Sequence, residues 1–126
     1  MSFGKTTGII VFAHGSRVES ANEAVRSVAA AFARAGGYGQ VEAAFLELGQ
    51  PSLEEATGIL AARGVEEVIV IPYFLTLGLH LERDLPRLIA DISNKYKQLR
   101  ISVTAPLDGH PGLVEILKAR AAEALG

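Results

Sequence analysis

Short uninterrupted apolar runs alternate four times with longer segments of helical spacing, and this alternation constrains the fold more than any other feature. A continuous β-branched or aromatic run suits a strand covered on both faces, since neither face then needs polar groups for water. Gly8 to Ala13 is such a run, Val41 to Leu46 a weaker one, Val68 to Phe74 the most hydrophobic, and Ile101 to Ala105 the last. Pro72 removes one ladder donor near the end of the third. After the first run, Ala21, Ala24, Val25, Val28, Phe32 and Ala35 recur at helical spacing, and Gly36-Gly37 supplies a stop. Ser52 caps a second helix, with Glu55 completing a capping box, and Gly64 ends it after about Arg63. Leu85, Leu88, Ile89, Ile92 and Tyr96 mark a third, with Pro86 expected in its first turn, where its missing N–H does no harm. Pro111 opens the last, through Leu113, Val114, Leu117, Ala121 and Ala124.

Strands alternating with helices predict a parallel sheet with right-handed crossovers. The fold class is α/β: residues 1–126 form a single three-layer domain, a four-stranded parallel sheet flanked by helices. A formal charge of −2 supplies no general field for nucleic acid or anionic membranes, so an anionic ligand must be met by local groups. Lys95-Tyr96-Lys97 with Arg100 reads as the solvated end of the third helix rather than a nucleic-acid patch. The absence of cysteine excludes disulfides, iron–sulfur clusters and thiol nucleophiles. No nucleotide is expected, because there is no Walker motif, and Gly36-Gly37-Tyr38-Gly39 follows a helix rather than a strand. One Lys near the N-terminus followed by the short run Ile9 to Ala13 makes no signal peptide, and no stretch is long enough to span a bilayer, so a cytoplasmic protein is expected.

In open parallel sheets, ligands bind beyond the carboxyl ends of the strands, where the strand order reverses. All three histidines fall on the loops at that edge: His14-Gly15-Ser16-Arg17 after the first strand, Leu77-Gly78-Leu79-His80 after the third, Asp108-Gly109-His110 after the fourth. Glu47-Leu48-Gly49-Gln50 follows the second. Thirty-three residues separate His14 from Glu47 and thirty-three more separate Glu47 from His80, about one strand-helix unit each, so the three occupy equivalent places. Two imidazoles and a carboxylate suit a first-row divalent ion and leave coordination positions open for chemistry. Each residue alone has a plainer reading: a loop histidine bonded to backbone, a solvated glutamate, a histidine at a helix start. For His110, ordering the start of the last helix stands beside a substrate contact.

The set His14-Gly15-Ser16-Arg17, Phe45-Leu46-Glu47, Gln50-Pro51-Ser52-Leu53, Pro72, Phe74-Leu75, Gly78, His80, Asp84-Leu85-Pro86, Pro106-Leu107 and His110-Pro111 resembles the small class II chelatases. These are the sirohydrochlorin cobaltochelatases and ferrochelatases of cobalamin and sirohaem synthesis. The resemblance implies a chelatase-like fold and insertion of a divalent ion (Co²⁺ first, Fe²⁺ or Ni²⁺ as alternatives) into sirohydrochlorin or a related tetrapyrrole without ATP. It implies metal on His14 and His80, joined in some members by a carboxylate at the position of Glu47. It also implies a homodimer, since members of this size match one lobe of the two-domain chelatases. Leu77 and Leu79 around Gly78 stand where many relatives carry smaller residues, which implies a narrower or greasier cleft and hence a shifted substrate preference. His80 is the first choice as pyrrole-proton acceptor, because imidazoles exchange protons near neutral pH, with Glu47 second. Ser16, Arg17 and Arg83, with the helix starts near Gly109 and Gly112, are the expected partners of the substrate's carboxylates. The alternative is a non-catalytic metal or tetrapyrrole carrier using the same ligands. A histidine-nucleophile phosphatase is disfavoured because Ala13 stands where a clamping arginine is needed, and a phosphoacceptor receiver because the first strand ends without paired acids.

Overall fold

Strand β1 (Thr7–Ala13) is the centre of the molecule, with every residue from Gly8 onward buried, as its unbroken apolar sequence requires. The computed structural model describes residues 6–126; Lys5, weighed above as part of a leader, lies outside them. After β1 come α1 (Glu19–Gly36), β2 (Val41–Phe45), α2 (Leu53–Ala62), β3 (Glu67–Pro72), α3 (Gly78–Lys95), β4 (Arg100–Val103) and α4 (Pro111–Leu125). The sheet is parallel throughout, in the order β2-β1-β3-β4. Register runs from Ile9 opposite Val41 to Ala13 opposite Phe45 on one side of β1, and from Thr7 opposite Glu67 to Phe12 opposite Pro72 on the other. The chain turns one way from β1 to β2 and the other way from β3 to β4, so the loops leaving β1 and β3 part at adjacent central strands.

Alternation along β1 divides the core. Ile10 and Phe12 pack with Val68 and Val70 of β3 against Leu53, Ala56 and Leu60 of α2 and Leu81, Leu85 and Ile92 of α3. Val11 and Ala13 pack with Ala43 and Phe45 of β2 against Ala29 of α1. Full burial of a side chain such as Phe12 is worth about 1.5–3 kcal/mol against the chain entropy that folding costs. The expected cap of α2 is present: Ser52 Oγ accepts from Glu55 N at 3.1 Å and Glu55 Oε1 accepts from Ser52 N at 2.8 Å. The stop of α1 is a left-handed Gly37, φ 71°, after which Tyr38 N donates to Ala33 O.

Three expectations are corrected. Helix α3 begins at Gly78, not near Leu85, so Pro86 is inside the helix and leaves Glu82 O without its intrahelical donor. The buried stripe of Leu81, Leu85 and Ile92 offsets the cost of that proline, about 3 kcal/mol. Strand β3 stops at Pro72 instead of reaching Phe74. β4 ends at Val103 rather than Ala105. Helix α4 begins at Pro111 as expected but carries no buried residue; Val114, Ile116 and Leu117 are exposed. Among the described residues no helix is long and apolar enough to cross a membrane.

Candidate functional site

The carboxyl edge of the sheet gathers the candidate residues on two sides of the seam between β1 and β3. After β1 the chain continues alongside the end of β2: Leu46 N donates to Ala13 O at 2.9 Å and Glu47 N to His14 O at 3.1 Å. This extension brings the two side chains together, with His14 Nε2 3.7 Å from Glu47 Oε1 and both more than half exposed. His14 Nδ1 is 3.2 Å from Gly15 O. A carbonyl can only accept, so Nδ1 donates in this bond, and in a neutral ring the Nε2 lone pair is then on the side of Glu47. Two donor atoms each about 2.1 Å from one ion stand roughly 3 Å apart, so a small rotation of either side chain lets the pair share a metal. Gly15 is required here: at φ 96°, a Cβ would stand 1.7 Å from Glu47 O.

Across the seam, β3 ends at Pro72, and Tyr73 N makes one more bond to Phe12 O before the chain leaves the sheet. Phe74 then stands edge-on to His14, ring centroids 6.4 Å apart. Leu77, Gly78, Leu79 and His80 turn into α3, Gly78 taking φ 73°. His14 and His80 line one cavity of about 340 Å³, whose walls are mainly Leu46, Phe74, Leu77 and Leu79, with Asp84 also in its lining. A mostly apolar wall with a few polar groups is what a flat aromatic ligand needs. Arg83 donates to His80 Nδ1 over 3.4 Å and lies 3.5 Å from Asp84.

The structure therefore brings His14 to Glu47, and His14 and His80 to one cavity; among the described residues no three His, Asp or Glu side chains cluster closely enough to hold a metal together. Ser16 and Arg17 lie on the His14 loop, Ser16 Oγ accepting from Val18 N at 3.0 Å and Arg17 exposed. His110 takes its plainer role, Nδ1 accepting from Gly112 N at 2.9 Å as the cap of α4. Its loop is tied to the segment after β3 through Leu107 N to Phe74 O and Asp108 N to Leu75 O.

Sequence reasoning missed Asn22, which is buried beneath the His14 loop. The signal was present: with Val25, Ala29 and Phe32 it continues the inward stripe of α1, where a polar residue needs partners.

Comparison with known proteins gives the same direction. The CbiX family model matches residues 8–124. The sirohydrochlorin cobaltochelatase of Sulfolobus acidocaldarius is 32% identical over 118 residues, covering 94% of this chain and 92% of that protein. The chloroplastic sirohydrochlorin ferrochelatase of Arabidopsis thaliana is 34% identical over 117 residues, 93% of this chain but 52% of the relative, so the chain spans about half that protein's length. Among solved structures, the sirohydrochlorin chelatase SirB from Bacillus subtilis subspecies spizizenii in complex with cobalt superposes with a TM-score of 0.82 at 26% identity, over 94% of this chain and 50% of that one.

Proposed function

The chain belongs to the CbiX family, and from that premise we propose that it is a chelatase inserting a divalent metal into sirohydrochlorin, with cobalt favoured over iron or nickel. The observation that carries this reading is the single cavity shared by His14 and His80, walled by Phe74, Leu77 and Leu79, with Glu47 beside His14.

Insertion must strip the ion of water and remove two pyrrole protons. The ion enters as substrate and exchanges bound waters for His14 Nε2 and Glu47, which keep it at the cleft floor with open positions toward the macrocycle. The tetrapyrrole lies against the leucine and phenylalanine wall, and its approach brings His80 over the ion. While Arg83 donates to Nδ1 of His80, a neutral ring carries its proton on Nε2. A substrate carboxylate that draws Arg83 away frees Nδ1, so substrate binding itself readies His80 to accept a pyrrole proton or to ligate. Each metal that enters releases two protons, and Glu47 is the second acceptor. Arg17 and the Ser16 backbone meet further carboxylates of the substrate.

We read the working unit as a homodimer. The chain spans half the length of SirB, and α4 presents Val114, Ile116 and Leu117 to the exterior, a surface a second copy can cover.

The test is the anaerobic absorbance change of sirohydrochlorin with Co²⁺, Fe²⁺ or Ni²⁺, comparing wild type, the His14→Ala/His80→Ala variant and no protein. Conversion by wild type and a loss of about 100-fold or more in the variant is expected. A folded wild type that binds cobalt without accelerating insertion makes the protein a carrier instead. Full activity in the variant removes the site assignment.

A further inference from the structure

The side chain of Asn22, on the first turn of α1, is 1% exposed and has every polar atom engaged. Its Oδ1 accepts from Ser16 N at 2.9 Å, and its Nδ2 donates to Ser16 O at 2.9 Å and to Leu48 O at 3.0 Å. Glu19 Oε2, at 3.3 Å, is the more distant neighbour of the same nitrogen. The two close acceptors of Nδ2 lie on different loops. Ser16 is two residues past His14, and Leu48 is the residue after Glu47. One amide thus grips the backbone of the His14 loop at both N–H and C=O and ties it to the Glu47 loop.

The surroundings are shaped to let that grip close. Leu48 takes a left-handed conformation, φ 57°, which a leucine adopts at a cost. A Cβ on Gly49 would stand 3.1 Å from Asn22 Nδ2 and 2.9 Å from the Phe45 ring, so the loop comes down onto the amide only because residue 49 lacks a side chain. Among the described residues the other buried polar side chain, Thr57, makes a bond of purely local character to Leu53 O in its own helix. Asn22 is different because its backbone partners, Ser16 and Leu48, lie on the loops that carry the two donor side chains.

We propose that Asn22 is a positioning residue for metal handling: it sets the spacing of His14 and Glu47 by locking their loops together. This rests on the reading of that pair as the ion's first ligands. Aspartate at this position keeps the shape and the acceptor to Ser16 N but replaces the donated bonds with a carboxylate facing two carbonyl oxygens and the Glu19 carboxylate. The loops then part and the donor pair spreads, while the leucine wall on the β3 side is untouched.

The experiment compares wild type, Asn22→Asp and Thr57→Val by thermal melting, Co²⁺ titration followed by the ion's visible absorption, and steady-state insertion into sirohydrochlorin. Asn22→Asp is expected to bind Co²⁺ about 10- to 100-fold more weakly, with an altered visible band. Its kcat should fall and its KM for the tetrapyrrole should hold. Thr57→Val should lower the melting temperature without changing cobalt affinity. Asn22→Ser, which brings no charge into the buried position, gives the same comparison if the aspartate variant does not fold. Wild-type cobalt affinity and spectrum in a folded, destabilised Asn22 variant would overturn the proposal and leave the residue a fold-holding one. A wild type that neither binds cobalt nor inserts it overturns the chelatase reading itself, and the proposal with it.

Discussion

On the β1–β2 side of the cleft, His14 and Glu47 sit on loops stitched to each other by backbone bonds beyond the strand ends and gripped from below by Asn22. On the β3 side, His80 stands in the first turn of α3, whose N-cap Leu77 offers no side-chain bond, and the neighbouring Leu79 is 87% exposed. The difference separates two tasks. Ligand spacing has to be held to fractions of an ångström, and the fold supplies that through a pair of loops joined by backbone bonds and by the buried Asn22 amide. The surface that receives a broad flat molecule needs area and adaptability more than fixed geometry, and it is built from leucines on a helix start.

Paired glycine substitutions are the most severe test of this contrast. Both Gly15 and Gly78 have positive φ, but Ala at 15 drives its Cβ into Glu47 O, whereas around Gly78 there is open space. Gly15→Ala should therefore cost several kcal/mol or prevent folding, and Gly78→Ala only the left-handed strain of about 1–2 kcal/mol. Equal losses in denaturant titration would show that the two sides are equally constrained.

Substitutions at the surface give a smaller and more selective effect. Arg17→Ala should raise KM for the tetrapyrrole by roughly ten-fold, the worth of one charge-assisted contact, without weakening Co²⁺ binding. An unchanged KM would remove Arg17 from the substrate site. Leu79→Ser should shift KM by only a few-fold and leave stability within about 0.5 kcal/mol, since the side chain is already in solvent. A large stability loss there would mean that the β3 side is more tightly built than its exposure indicates.

The smallest effect is electrostatic. The Glu19 carboxyl lies below its ordinary value, first because Arg26 donates to it and second because Asn22 does. A carboxylate held low adds stability above its unfolded pKa and loses it as pH falls through the folded one. The melting temperatures of wild type and Glu19→Gln should therefore differ slightly near neutrality and converge in acid. Salt should shrink the difference, because the pair is exposed. A gap that widens in acid would show that the folded protein does not hold this carboxyl low.

Much of this was readable before any coordinates. The unbroken run at Ile9 to Ala13 specifies a strand with no wet face, and Ser52 with Glu55 specifies a helix start by a reciprocal pair of bonds, so both were placed closely. The start of helix α3 is hidden in the sequence because Gly78-Leu79-His80 has the composition of a loop, and Pro86 looks like a first-turn residue. Only the packing of Leu81 in line with Leu85 shows that the helix has already started. Helix α4 shows another limit: its spacing says which face is apolar, not whether anything lies against it. At the site, chain topology placed His14, Glu47 and His80 on one edge, but the distance between side chains depends on loop bonds such as those of Asn22, which periodicity does not encode.

The central strand has one more consequence, in the time domain. Amide hydrogens of β1 sit between two neighbouring strands and under packing on both faces, so they exchange with solvent only when the whole domain opens. The first turn of α3 carries helix-start N–H groups without intrahelical acceptors, and fraying there requires no such event. The strand that leads into His14 therefore keeps the clock of global unfolding, and the helix turn that carries His80 that of a local and faster one.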